Sequence, residues 1–119
     1  MTEAQEQRCL FEWANLAKQE FEELELMYHI PNGGKRDKKT AVNLKREGVK
    51  AGVPDICLPV ARGQYHGLYI ELKTSKGKVS KNQKIWLENL DKQGYATIVC
   101  YGWLEAKEVL KEYLKNPNI

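Results

Sequence analysis

Asp55, Glu71 and Lys73 are the residues whose types and spacing could do chemistry in this chain. Asp55 heads the apolar run DICLPV after Pro54, and Glu71 and Lys73 lie two apart inside a second run, GLYIELKT. Charges in such runs are costly unless paired or bound to a cation. Alternate residues of an extended strand point to the same side. Tyr69, Glu71 and Lys73 therefore share one face, and Leu68, Ile70 and Leu72 share the other, which reads as core. A strand pairing with DICLPV can bring Asp55 to the same place as Glu71. Two carboxylates converging there repel unless a cation neutralises them. Magnesium suits the role, because it takes oxygen ligands and keeps several waters for substrate. Such an ion polarises a phosphate oxygen and lowers the pKa of a bound water. Lys73 could orient that water, help deprotonate it, or stabilise charge developing on the phosphorane; residue types alone do not choose.

A plainer reading competes. Asp55 could cap a turn after Pro54, and Glu71 with Lys73 could be a solvent-exposed pair worth little. E-x-K alone is common. A P-D followed by an apolar strand carrying E-x-K is far more specific, and the surrounding charge favours the chemical reading. The net charge is only +3, but it is unevenly placed. Residues 1 to 26 are acidic (Glu3, Glu6, Glu12, Glu20, Glu22, Glu23, Glu25). Residues 35 to 50 reverse this with Lys35, Arg36, Lys38, Lys39, Lys45, Arg46 and Lys50. Lys73, Lys76, Lys78, Lys81 and Lys84 follow with no acid among them. One basic run alone reads as a solvated face. Two of them flanking one candidate site point to a polyanion partner.

The elements that must position these residues follow from periodicity and punctuation. At 119 residues the chain fits one domain, expected to span 1–119 with one core. From Glu3 to Leu26, apolar residues recur at three and four (Leu10, Trp13, Ala14, Ala17, Phe21, Leu24), predicting a helix with Thr2 as N-cap. LMYHI reads as a short extended piece stopped by Pro31, Asn32, Gly33 and Gly34. Residues 35 to 52 read as a basic loop, with an optional short helix from Thr40 to Gly48. DICLPV and GLYIELKT are strands joined by the turn ARGQYHG, which favours an antiparallel hairpin. Ser80 opens a helix closed by Gly94. YATIVCY is a last strand, parallel to its predecessor across the helical crossover, and GWLEAKEVLKEYLK a last helix. The expected architecture is α/β, a mixed β-sheet flanked by helices in α-β-β-β-α-β-α order. Trp13, Trp86 and Trp103 read as core. Cys9, Cys57 and Cys100 are odd in number, without zinc-site spacing, and read as core residues of a reducing compartment. No apolar run approaches the roughly 20 residues needed to cross a bilayer. MTEAQEQR lacks the pattern of a signal peptide, so a cytoplasmic protein without membrane partners is expected.

GVPDI, YIELK and SKNQK together resemble the VRR-NUC (virus-type replication–repair nuclease) branch of the PD-(D/E)xK nucleases. The likeness runs nearly end to end, from EAQEQ through HIPNGG to the closing helix, and looks like a compact, stand-alone, phage-type member. It implies a restriction-endonuclease-like core and Mg²⁺- or Mn²⁺-dependent cleavage of DNA phosphodiesters. Asp55 and Glu71 would then be metal-binding carboxylates, Lys73 the catalytic lysine, and the Leu72 backbone carbonyl a further ligand. The family's first helix adds a carboxylate four residues before a glutamine, here Glu3 with Gln7, one turn apart. Glu6 competes with Glu3, because it precedes Leu10 by four and tracks the core-facing stripe. Gln83 matches the family's helix glutamine, although Ser80-x-x-Gln83 is also a capping box; both roles can coexist.

His29 and Asn32 stand where a strand meets a glycine turn, a good place to touch phosphate, although His29 also reads as an ordinary loop or core histidine. Asn32, Lys35, Arg36, Lys38, Lys39, Lys76, Lys78 and Lys81 are the candidate DNA contacts. Compact viral members resemble archaeal Holliday-junction resolvases, which implies a homodimer acting on branched or four-way-junction DNA, and a phage or prophage gene in a bacterial host cell. Symmetric nicking of a junction needs two equivalent sites. The alternatives are a nuclease of flaps or nicked duplex, and a DNA-binding module of the same fold that does not cleave.

Overall fold

Thr2 opens the first helix as expected: its hydroxyl accepts the Gln5 amide, and the Gln5 side chain accepts the Thr2 amide in return. The computed structural model describes residues 1–31 and 37–115. Asn32, Gly33, Gly34, Lys35 and Arg36 therefore lie outside the described residues. Helix α1 covers Glu3–Ala17, shorter than the spacing to Leu26 predicts. The chain bends at 18–21 and makes a 3₁₀ turn at Glu22–Leu26 instead. Phe21, Leu24 and Met27 are all buried, and their interval of three is the 3₁₀ period, so tightening the turn puts all three on the core.

Four strands follow: β1 Tyr28–His29, β2 Ile56–Leu58, β3 Leu68–Lys73 and β4 Ala96–Tyr101. Their order is β1-β2-β3-β4, antiparallel for the first two pairings and parallel for β3 with β4. The β2–β3 hairpin closes on reciprocal backbone bonds between Arg62 and Tyr65. Helix α2 spans Lys38–Arg46 between β1 and β2, converting the expected basic loop into an element. It starts before Thr40 because Asp37 is the N-cap, accepting the Thr40 amide at 2.8 Å. Helix α3, Lys81–Lys92, makes the crossover from β3 to β4, with Ser80 as its N-cap. Helix α4, Trp103–Lys115, closes the described chain.

The core forms where α1 and α4 meet the sheet, with Leu10, Ile56, Ile70, Cys100 and Leu110 fully buried. Ile56 pairs with Ile70 and Leu58 with Leu68, so the apolar face is continuous across β2 and β3. The tryptophans are only half-buried, contrary to the core reading. Trp13 and Trp103 pack at the edge of the core, and the Trp86 indole donates to the Ala51 carbonyl at 3.1 Å. The indole N–H needs a partner and favours such margins. The cysteines are free, and burial pushes the Cys100 thiol up to about 12, which leaves it unreactive. Among the described residues, no helix is long and apolar enough to cross a membrane.

Candidate active site

Register alone sets the two carboxylates opposite each other. Ile56 pairs with Ile70, so the residue before β2, Asp55, falls beside Glu71. Asp55 is anchored on two sides. Its carbonyl accepts the Ile30 amide at 2.7 Å and His29 Nδ1 at 2.8 Å, both from the end of β1. Its carboxylate Oδ2 accepts the Leu72 amide of β3 at 2.8 Å. Asp55 thus bridges strands rather than capping a turn. The loop leading to it is pressed against α3 at Gly52, whose φ is +91°; a Cβ there would lie 2.8 Å from Asn82 Cβ.

Glu71 and Lys73 are not a solvent-exposed pair. Glu71 is 1% exposed and Lys73 7%, with Lys73 Nζ 3.5 Å from Glu71 Oε2. Gln83 Nε2 donates to the same oxygen at 3.1 Å. Gln83 also completes the capping box, its Oε1 accepting the Ser80 amide at 2.8 Å, so one side chain both caps α3 and donates to Glu71. Glu71 Oε1 is buried without a hydrogen-bond partner. Burial, and then the neighbouring Asp55 carboxylate, push the Glu71 carboxyl up to about 8, against the opposing pull of Lys73.

The cleft over these groups has a volume of about 340 Å³ and is lined by Glu3, Ala4, Gln7, His29, Pro31, Asp55, Glu71, Leu72 and Gln83. Glu3, in the first turn of α1, faces it with Gln7. Glu6 does not: its Oε2 accepts the Trp103 amide at 3.0 Å and satisfies the start of α4. That contact explains why Glu6 tracks the core-facing stripe. Lys38 and Lys39 on α2, Lys76 and Lys78 on the β3–α3 loop, and Lys81 at the start of α3 all fall outside the cleft lining and are exposed. Asn32, Lys35 and Arg36 fall in the undescribed segment.

Two structural features are missed or only partly legible in the sequence. One is the His29 bond to a main-chain carbonyl, which no residue pattern encodes. The other is the basic face of α2, which also carries Lys45 and Arg46. Its charge is legible in the basic run at 35 to 50 and its helix in the spacing of TAVNLKREG, but not the start at Lys38.

The donor set is oxygen throughout. An orphaned buried carboxylate oxygen beside a second carboxylate is what a hard cation would satisfy. Among the described residues, no cluster of three or more His, Cys, Asp or Glu side chains forms a cation site. Asp55 and Glu71 fit an ion that draws its remaining ligands from carbonyls and water, as Mg²⁺ does.

A mixed sheet flanked by helices, with Asp55 and Glu71 lining an open cleft and Lys73 buried against Glu71 outside that lining, is the arrangement of a nuclease-type fold. The VRR-NUC domain model matches residues 1–103. A solved structure described as a VRR_NUC domain protein is similar at 34% identity and a TM-score of 0.82, over 97% of this chain and 89% of that one. No curated protein matches the chain. The chain belongs to the VRR-NUC domain family.

Proposed function

We propose that this chain is a structure-selective DNA endonuclease, dependent on Mg²⁺ or Mn²⁺, that hydrolyses phosphodiesters at four-way junctions as a homodimer. One observation carries the reading: a buried Glu71 with an unsatisfied oxygen, held by Lys73 and Gln83 beside an anchored Asp55, at the floor of an open cleft. Asp55, Glu71 and the Leu72 carbonyl would hold the ion, with Glu3 as a further carboxylate at the rim. When bound, the ion supplies charge neutralisation at the phosphate and acidifies a water. Lys73 keeps an ammonium beside Glu71, where it orients the attacking water or neutralises charge gathering on the phosphate. Gln83 fixes the Glu71 carboxylate and so the direction of its free oxygen.

Surface lysines hold the phosphates of the junction arms: Lys76, Lys78 and Lys81 on one side, Lys38 and Lys39 of α2 on another, with Asn32, Lys35 and Arg36 between β1 and α2. Contacts of this kind read shape rather than sequence. The fitting setting is a bacterial cytoplasm during phage or prophage DNA processing.

The test is incubation with end-labelled four-way junction, flap, nicked and linear duplex DNA, in Mg²⁺, Mn²⁺ or EDTA. Metal-dependent cuts confined to the junction support the reading. Cuts confined to flaps or nicks transfer the activity to those substrates. Binding that is indifferent to metal, with every substrate left whole, makes the chain a binding module. Sedimentation of the free protein and of its junction complex reads the stoichiometry.

A further inference from the structure

His29 is exposed, yet its ring is committed. Nδ1 lies 2.8 Å from the Asp55 carbonyl oxygen, which can only accept, so Nδ1 carries the proton. The next amide, Ile30 N–H, reaches the same oxygen at 2.7 Å. The second is the ladder bond expected where β1 continues past His29 opposite Ile56. The first is an addition from a side chain. Together they occupy both lone pairs of the carbonyl, while Leu72 N–H holds the carboxylate from β3. Strand β1 is only two residues long, so its ladder alone fixes little.

We infer that His29 is a positioning residue that sets the aim of the Asp55 carboxylate through the Asp55 main chain. The inference rests on the nuclease reading of the cleft for its consequence, though not for its geometry. A side-chain donor on the backbone of a ligand residue acts as outer-shell support does elsewhere, by limiting the directions the carboxylate samples.

Three substitutions separate this role from direct contact with substrate. Asn places an amide N–H where Nδ1 stands, Gln places one where Nε2 stands, and Ala has neither. His29→Ala should weaken Mn²⁺ binding, measured calorimetrically without DNA, by about tenfold, and lower kcat comparably while leaving junction Kd unchanged. His29→Asn should restore both, and His29→Gln neither. In nitrogen-15 spectra, His29 should show the Nδ1–H tautomer. The Leu72 amide resonance should move in His29→Ala and return in His29→Asn. Rescue by Gln instead of Asn would overturn the inference in favour of a phosphate contact, and an unmoved Leu72 resonance would overturn it outright. If the wild type cuts no DNA while Leu72 behaves as stated, the positioning role stands and the nuclease reading falls.

Discussion

Glu71 carries two opposed demands, and its protonation expresses them. Burial and Asp55 disfavour its charged form, which raises the folded-state value from 4.5 to about 8. A carboxyl raised on folding binds its proton more tightly in the native state. Its contribution to stability is therefore complete below 4.5 and is lost as pH rises through about 8. In EDTA, the Tm should fall across that interval. Glu71→Gln keeps the shape of the protonated acid, so its Tm should be flatter there and higher than wild type near the upper end, with cleavage abolished. Mg²⁺ should raise the wild-type Tm most at the alkaline end, because it binds the ionised pair. Melting curves against pH, with and without metal, check all three; a Tm that rises with pH in EDTA would contradict the shift. Lys73 is tested by kinetics. Lys73→Ala should cost about a hundred- to a thousandfold in turnover, a loss of the size seen when one stabilising donor is removed, while junction Kd stays within error. Equal loss of both would misplace the lysine.

At the level of elements, α1 contributes one carboxylate to the cleft and another to the architecture, three residues apart. Glu6 receives the Trp103 amide, and a Cβ added at Gly102, whose φ is +96°, would lie 2.9 Å from the same oxygen. Glu6→Ala should therefore cost about 1 kcal/mol through removal of a cap, seen as a Tm drop of roughly 3–5 °C for a domain of this size. Glu3→Ala should leave Tm unchanged and lower metal affinity and turnover. The reverse pattern in paired melting and cleavage assays would exchange their roles. This pair also shows what sequence can carry. The alternation in β3 and the Ser80 and Thr2 caps are local patterns, and they are legible as residues. The placement of Asp55 beside Glu71 follows from pairing two strands that punctuation already separates. The partner of Glu6 lies 97 positions away, and the partner of His29 is a carbonyl without residue identity, so neither leaves a trace in spacing. The end of α1 is not legible, because Phe21, Leu24 and Met27 fit a helix of either period and only packing chooses between them.

Across the whole molecule, charge segregates along β3. The hairpin end is tied to the acidic 3₁₀ turn through Arg62 and Glu23, while the other end holds Lys73 and leads to Lys76, Lys78 and Lys81. Six strand residues separate the two ends by about 17 Å, beyond a Debye length at physiological salt. DNA laid on the site end therefore feels the lysines more than the acids. Helix α2 carries a second group of cations. Thr40 and Leu44 are its half-buried positions, and Lys38, Lys39, Val42, Lys45 and Arg46 are exposed. At helical geometry those five fall within an arc of about 120°, a cationic face turned away from the packing side. If this face grips phosphates, junction affinity should fall steeply and log-linearly with salt. Replacing Lys38, Lys39, Lys45 and Arg46 with Gln should reduce the slope by about 0.9 for each phosphate that is no longer neutralised, while the order of preference among DNA structures is retained. Replacing Glu20, Glu22 and Glu25 should leave the slope unchanged. Fluorescence anisotropy over a salt series reads both sets. Equal slopes for wild type and the α2 variant would remove this helix from the DNA surface and leave the β3–α3 lysines to carry the binding.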